Sequence, residues 1–203
     1  MLITAVEPRR KKCSALFLDG EFAVNLDTET LVKSGFRPGM ELDDGELHAL
    51  IQESDSRRAY EKALYLLEYR SHSQKELADK ISRTAPREAA ERAAARMAEL
   101  GLVDDGEYAR GLAAQLLQRK GFSASRARRE LLQKGIDPEL AQQVVQELCP
   151  DPAEKIREII ERKYIRSLGD EKGRRRTAAA LQRLGYRWED IRSALNELIN
   201  EDE

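Results

Sequence analysis

Arginine is the chemically telling residue of this chain. Arg126, Arg128 and Arg129 fall together in Ser125-Arg126-Ala127-Arg128-Arg129-Glu130, and Arg174, Arg175 and Arg176 form a second cluster further on. A guanidinium offers N–H donors in a fixed fork that fits two oxygens of a carboxylate or phosphate at once. Both clusters read as lying near the start of a helix. Free backbone N–H groups and the positive dipole end favour an anion there, and each added cation costs on the order of tenths of a kcal/mol. Arginines placed there twice point to an anionic partner, either nucleic-acid phosphates or protein carboxylates. The plainer alternative is a solvated face balanced by Glu130 and neighbouring acids.

No other residues assemble into a reactive group. There is no glycine loop followed by Lys-Ser/Thr, no His-Glu-x-x-His and no nucleophile elbow. His48 and His72 stand far apart, and His72 reads as a solvated turn residue. Cys13 and Cys149 have no metal-ligand spacing and fit a reduced, cytoplasmic protein. Asp104-Asp105 is more simply a helix cap than a catalytic carboxylate pair. Tyr60, Tyr65, Tyr108, Phe122, Tyr164, Tyr186 and Trp188 read as packing residues on helix faces and at turns. The expectation is a protein with no catalytic residues, no metal and no cofactor.

The elements that position the arginines follow from periodicity and turn chemistry. The chain has 203 residues, 35% of them charged and only 5% aromatic. No apolar run has membrane-spanning length, and the first residues do not form a signal peptide. The net charge of −2 conceals an asymmetry, with −5 over residues 1–55 and +3 over residues 56–203. The first 55 residues read as a small β module. Leu2–Val6 is β-prone, and Asp19-Gly20 lies between two apolar runs where a type I′ hairpin turn needs positive φ twice. Two short helices should follow, one through Leu31-Val32 stopped by Gly35 and one through Leu47, Leu50 and Ile51 capped by Asp43 or Asp44.

From Ser56 onward only helical patterns appear. Residues 56–105, 106–149 and 150–203 read as three repeats of three helices. The first opens with an apolar face at Tyr60, Ala63, Leu64 and Leu67, and continues through a capping box at Ser73 and Glu76. Asp137-Pro138 and Asp151-Pro152 are cap-plus-first-turn signals, while Gly101, Gly135 and Gly185 stop helices. Gly169 to Gly173 reads as a loop. An offset of 50 residues pairs Gly135 with Gly185, Arg126 with Arg176 and Leu148 with Leu198; an offset of 54 pairs Glu76 with Glu130 and Leu77 with Leu131. The fold expected is mainly α: tandem repeats of three-helix units in an elongated arrangement, preceded by a small N-terminal β-hairpin module. Each unit is thin alone and gains by burying a face against a neighbour.

Two motifs in this order resemble the RecX family, the bacterial regulators of the RecA recombinase. Leu64-x-x-Leu67-x-x-Arg70-Ser71-x-Ser73-x-x-Glu76-Leu77 is similar to the family's opening signature. Leu102-Val103-Asp104-Asp105-Gly106-Glu107-Tyr108-Ala109, followed by Arg126-x-x-x-Glu130-Leu131-x-x-Lys134-Gly135-Ile136, resembles its central repeat. The chain departs from that pattern at Gly106-Glu107, where an arginine is common, and at Ser123-Ala124, where Gly-Pro often stands. The resemblance implies binding to the RecA nucleoprotein filament, inhibition of RecA's ATP hydrolysis and strand exchange, and some affinity for single- or double-stranded DNA. Arg126, Arg128, Arg129, Arg174, Arg175 and Arg176 are then the candidate contacts, with Tyr108 and Arg110 as lesser ones. A monomer is expected. The alternative function is a helical protein reading duplex DNA without RecA, and a third is a scaffold whose basic clusters are merely solvated.

Overall fold

The computed structural model describes the backbone of residues 1–201 and the side chains of residues 1–198. The chain forms two compact units, Met1–Asp104 and Asp105–Glu203.

In the first unit β1 (Ile3–Pro8), β2 (Cys13–Leu18) and β3 (Glu21–Asp27) make an antiparallel meander in the order β1-β2-β3. Asp19 and Gly20 take φ of 50° and 89°, the double positive φ that the β2–β3 turn demands. The sheet does not stand alone. Ile3, Leu16, Leu18 and Leu26 form one cluster with Leu31 of α1 (Thr28–Ser34), Leu42, and Leu50 of α2 (Asp44–Tyr69). Burying one face in this way is what a three-stranded sheet needs to persist.

The two helices expected on either side of residue 55 are one helix of 26 residues. Asp43 and Glu46 close a capping box at its start. The polar stretch 52–58 contains no glycine or proline to break it. Its polar groups also face partners: the Ser54 hydroxyl accepts the Asp27 N–H at 2.7 Å, and Arg57 Nε lies 3.0 Å from Asp27 Oδ1. What reads as a hydrophilic break is the seam that fastens α2 to β3.

The second half of α2 packs on α3 (Gln74–Ile81) and α4 (Arg87–Glu99). The buried face is Ala59 and Ala63, with Leu66 and Leu67 half-buried against the same core; Ala63 and Leu67 lie where expected, but Tyr60 and Leu64 are 36% and 37% exposed. Alanines also dominate the facing helix, with Ala89, Ala90, Ala93 and Ala94 buried beside Met97. Small side chains let the helices approach closely, so close packing wins over burying the larger residues. At the α2–α3 bend the two guanidinium nitrogens of Arg70 donate to the two carboxylate oxygens of Glu76, each at 3.0 Å, and the Ser73 side chain accepts the Glu76 N–H. His72 is the other correction, because it is buried rather than solvated. Its Nδ1 lies 2.8 Å from the Arg70 carbonyl oxygen and its Nε2 lies 2.9 Å from Lys80 Nζ. An ammonium can only donate, so the ring is neutral with its proton on Nδ1.

The second unit holds two three-helix clusters. α5 (Asp105–Ala114) runs into a π-helical turn at Gln115–Arg119, and α6 (Ala124–Gln133) and α7 (Pro138–Leu148) complete the first cluster around Leu116, Leu117, Leu131 and Val144. α8 (Pro152–Lys163), a 3₁₀ turn at Ile165–Ser167, α9 (Glu171–Leu184) and α10 (Trp188–Glu201) make the second around Ile156, Ile160, Leu181 and Ile191. Asp137 and Asp151 cap α7 and α8, with proline in the first turn of each. The expected loop at Gly169–Gly173 is shorter, because Asp170 caps α9 and Gly173 already lies inside its first turn. A Cβ on Gly173 would stand 1.7 Å from the Ser167 carbonyl oxygen, so only glycine lets the 3₁₀ turn press on this helix. Among the described residues no helix is long and apolar enough to cross a membrane.

Burial, and then the charges of Arg70 and Lys80, hold the His72 imidazole below its ordinary pKa. The unfolded chain accepts a proton that the folded chain refuses. Stability from this site is complete above about pH 6.5 and declines as the pH falls below it. Melting temperatures between about pH 7 and 5.5 should therefore drop. His72→Gln, which keeps a donor for the Arg70 carbonyl and an acceptor for Lys80, should flatten that drop; an equal slope in the variant would sink the assignment.

Candidate anion-binding surface of the second unit

The two arginine helices are held by one junction. Ser123 caps α6, its Oγ accepting the Arg126 N–H at 3.3 Å. The same residue reaches the far end of α9: its N–H donates to the Leu184 carbonyl at 3.0 Å and its hydroxyl to the Gly185 carbonyl at 2.8 Å. Gly185 takes φ of 97°. A Cβ there would stand 2.5 Å from Ser123 Oγ and 2.8 Å from Arg126 Cβ. The negative end of α9 thus meets the positive end of α6. The anion inferred for the α6 N-terminus is supplied by the chain's own carbonyls.

Each arginine named from the sequence has a distinct place. Arg126 is half-buried and stacks its guanidinium on Phe122, with Cζ 3.9 Å from the ring centroid. Arg128 is half-buried, and its Nε is enclosed without a hydrogen-bond partner among the described residues. Arg129 is exposed. Arg174 is half-buried and donates through Nε to the Leu168 carbonyl at 2.9 Å, bracing the 3₁₀ turn. Arg175 is exposed and pairs with Glu171 at i,i+4. Arg176 is exposed. Because α9 begins at Glu171, its arginines occupy the second helical turn and not the first. Tyr108 is half-buried against the α5–α7 core, while Arg110 is exposed.

Sequence reasoning missed two members of this surface. Lys172, Arg176 and Arg183 are all exposed and spaced i, i+4 and i+11, so they share one face of α9. The spacing is readable in the sequence, but a loop reading through Gly173 leaves Lys172 outside the helix. Residues 171–184 carry five Lys and Arg against the single carboxylate Glu171. The contrast with α4 is sharp, since its arginines Arg87, Arg92 and Arg96 pair with Glu91, Glu88 and Glu99. Arg129, Lys172, Arg176 and Arg183 have no carboxylate partner among the described residues.

Beside the junction lies a cleft of about 360 Å³ lined by Phe122, Cys149, Lys155 and Tyr186. Burial pushes the Cys149 thiol up, and pushes the Tyr186 phenol up to about 12. Among the described residues no group of His, Cys, Asp and Glu side chains is arranged to hold a metal ion.

A small β-sheet module followed by three-helix clusters defines a mainly helical protein built from tandem three-helix domains. Residues 104–145 match the family model of the second three-helix domain of RecX. The regulatory protein RecX of Trichlorobacter lovleyi is 37% identical over 110 residues, 52% of this chain and 71% of the relative. That of Caldanaerobacter subterraneus is 29% identical over 204 residues, covering 97% and 99% of the two chains, and that of Bacillus subtilis is 26% identical over 208 residues. A crystal structure of regulatory protein RecX shares the fold with a TM-score of 0.62 at 20% identity over 96% of this chain and 98% of the other. RecX from Lactobacillus salivarius does so with 0.57 at 22% identity, over 71% and 96%. The chain belongs to the RecX family of regulatory proteins.

Gly185→Ala puts a methyl group into Ser123 and Arg126 and forces an L residue to positive φ. It should lower unfolding stability by about 2–4 kcal/mol. Ser123→Ala, which leaves the backbone bond and removes the hydroxyl, should lower it by about 1 kcal/mol. Chemical denaturation of the two variants tests the order, and a Gly185→Ala loss no larger than that of Ser123→Ala would contradict the close approach.

Proposed function

We propose that this chain is a non-enzymatic regulator that binds the RecA filament on single-stranded DNA and lowers RecA's ATP hydrolysis and strand exchange. Membership of the RecX family supports the regulatory role. The observation that carries the contact assignment is the run of cations on α9, offset by Glu171 alone, together with exposed Arg129 on α6; α4, by contrast, matches each of its arginines to a carboxylate. Exposed guanidinium groups without partners are ready to meet phosphates or acidic side chains, and lose no internal ion pair in doing so. Arg129 and Arg176 are the direct contacts in this reading, joined by Lys172 and Arg183, with Arg110 on the exposed side of α5; Arg175 would join them by giving up its pair with Glu171. Arg126 and Arg174 hold the helices in place, Tyr108 packs on the α5–α7 core, and half-buried Arg128 lies behind the presented surface. Residues 56–105, 106–149 and 150–203 act as three modules, so contacts are distributed rather than gathered in one pocket.

The test is RecA's single-stranded-DNA-dependent ATP hydrolysis with this protein titrated up to equal amounts. The wild-type chain should depress hydrolysis progressively. Arg129→Glu with Arg176→Glu should need at least tenfold more protein for the same effect, with unchanged helicity by circular dichroism. Full inhibition by the double variant would remove these contacts, and no inhibition by the wild type would remove the RecA reading. Preference for duplex DNA in RecA's absence would instead support the direct DNA-binding alternative.

A further inference from the structure

The first unit carries a second cationic surface of different chemistry. Two concavities, of about 490 and 660 Å³, adjoin each other and share Arg10, Cys13 and Arg58. They form one groove between the β1–β2 turn and the outer face of α2. Arg9 and Arg10 line it from the turn beside Lys11, and Arg58 and Lys62 line it from the helix. Lys11 and Lys12 both sit in the left-handed region, at φ of 60° and 57°, which side-chain-bearing residues rarely adopt. A basic turn held in this conformation, where glycine would be relaxed, marks a place where side-chain chemistry outranks backbone ease.

The acids of the groove are already engaged. Asp27 is buried, caps α1 and meets Arg57, while Glu61 faces Arg57 at 3.5 Å and Lys12 at 4.0 Å. Arg9 is matched by Glu7. Arg10, Lys11 and Arg58 have no carboxylate partner among the described residues, and Lys62 lies over the Tyr65 ring at 4.6 Å. The aromatics are the distinguishing feature. Phe22 stands at one end of the groove, 55% exposed, and Tyr65 at the other, 48% exposed. Tyr69 extends the second end, its ring 5.0 Å from that of Tyr65. Asn25 adds an exposed amide on the Phe22 side.

From this juxtaposition we infer that the groove binds single-stranded nucleic acid, phosphates on Arg10, Lys11 and Arg58 and bases on Phe22 and Tyr65. Cations alone would accept any polyanion. Half-exposed aromatic side chains at both ends of a cationic groove, with the Lys62 ammonium over Tyr65 free to swing onto a phosphate, favour a strand whose bases are free to unstack, which a duplex does not offer. The site is separate in sequence from the arginines of α6 and α9, and it stands or falls without the reading proposed for them.

The experiment is fluorescence anisotropy with oligo-dT and oligo-rU of about 12 nucleotides, on the full chain carrying Arg129→Glu and Arg176→Glu so that the second unit contributes little. Arg10→Glu with Arg58→Glu should weaken binding at least tenfold and reduce the salt slope by about 1.4, the value for two phosphate contacts to a single strand. Phe22→Ala and Tyr65→Ala should each weaken it about tenfold at unchanged slope. Photocrosslinks from bromouracil oligomers should map to residues 9–25 and 58–69. Equal affinity for a duplex of the same length, indifference to the aromatic substitutions, or crosslinks confined to residues beyond 104 would each overturn the assignment.

Discussion

Everything in the second unit turns on one pair of backbone carbonyls. Leu184 and Gly185 end α9 with oxygens that have no partner within the helix, and Ser123 opens α6 with donors that have none either. Setting these ends against each other satisfies both, and brings opposite dipole ends together in a partly buried place where their attraction is less screened. The arrangement demands glycine at 185 twice over, for its φ and for its missing Cβ. It also gives a role to the serine at 123: a glycine there would keep the N–H donation to Leu184 while losing the hydroxyl bond to Gly185.

The junction also decides which arginines are available. Arg126 lies between Gly185 and Phe122, so its guanidinium is stacked before any partner arrives. Arg174 is fixed on the Leu168 carbonyl by the same logic at the other repeat. The clusters therefore divide into residues that build the surface and residues that present it. Like charges crowded on α9 repel by tenths of a kcal/mol per pair. Glu171 offsets that only at Arg175, whereas α4 balances its charge along its length.

The parts legible from the sequence were those set by local rules. Asp19-Gly20, Asp137-Pro138, Asp151-Pro152 and the glycines at 135 and 185 act through φ, caps and missing donors within a few residues. The parts that were not legible depend on residues far along the chain. The stretch 52–58 reads as a break until Asp27 is placed against Ser54 and Arg57. Tyr60 and Leu64 read as core beside Ala63 until the alanines of α4 draw in Ala59 and turn those two larger residues toward solvent. His72 reads as solvated until Lys80 covers it from the next helix. The start of α9 reads too late, because Gly173 looks like a loop residue until the Ser167 carbonyl is seen to require it. The candidate arginines were found by type and spacing, but their division into bracing and presenting side chains required the contacts.

The same reasoning explains why this fold can carry different surfaces on similar units. The cores use small or branched residues at i and i+4, with alanine filling the close approaches of the first unit and isoleucine and leucine those around α8 and α9. Such cores specify helix positions without calling on the outward face. Charge there is constrained only by repulsion, which is weak in water. One unit can thus match nearly every arginine on α4 to a carboxylate while another leaves a row of cations open on α9. A surface free of structural duty can change its partner without endangering the fold, and surfaces under least structural demand are where binding function is to be sought in a protein of this kind.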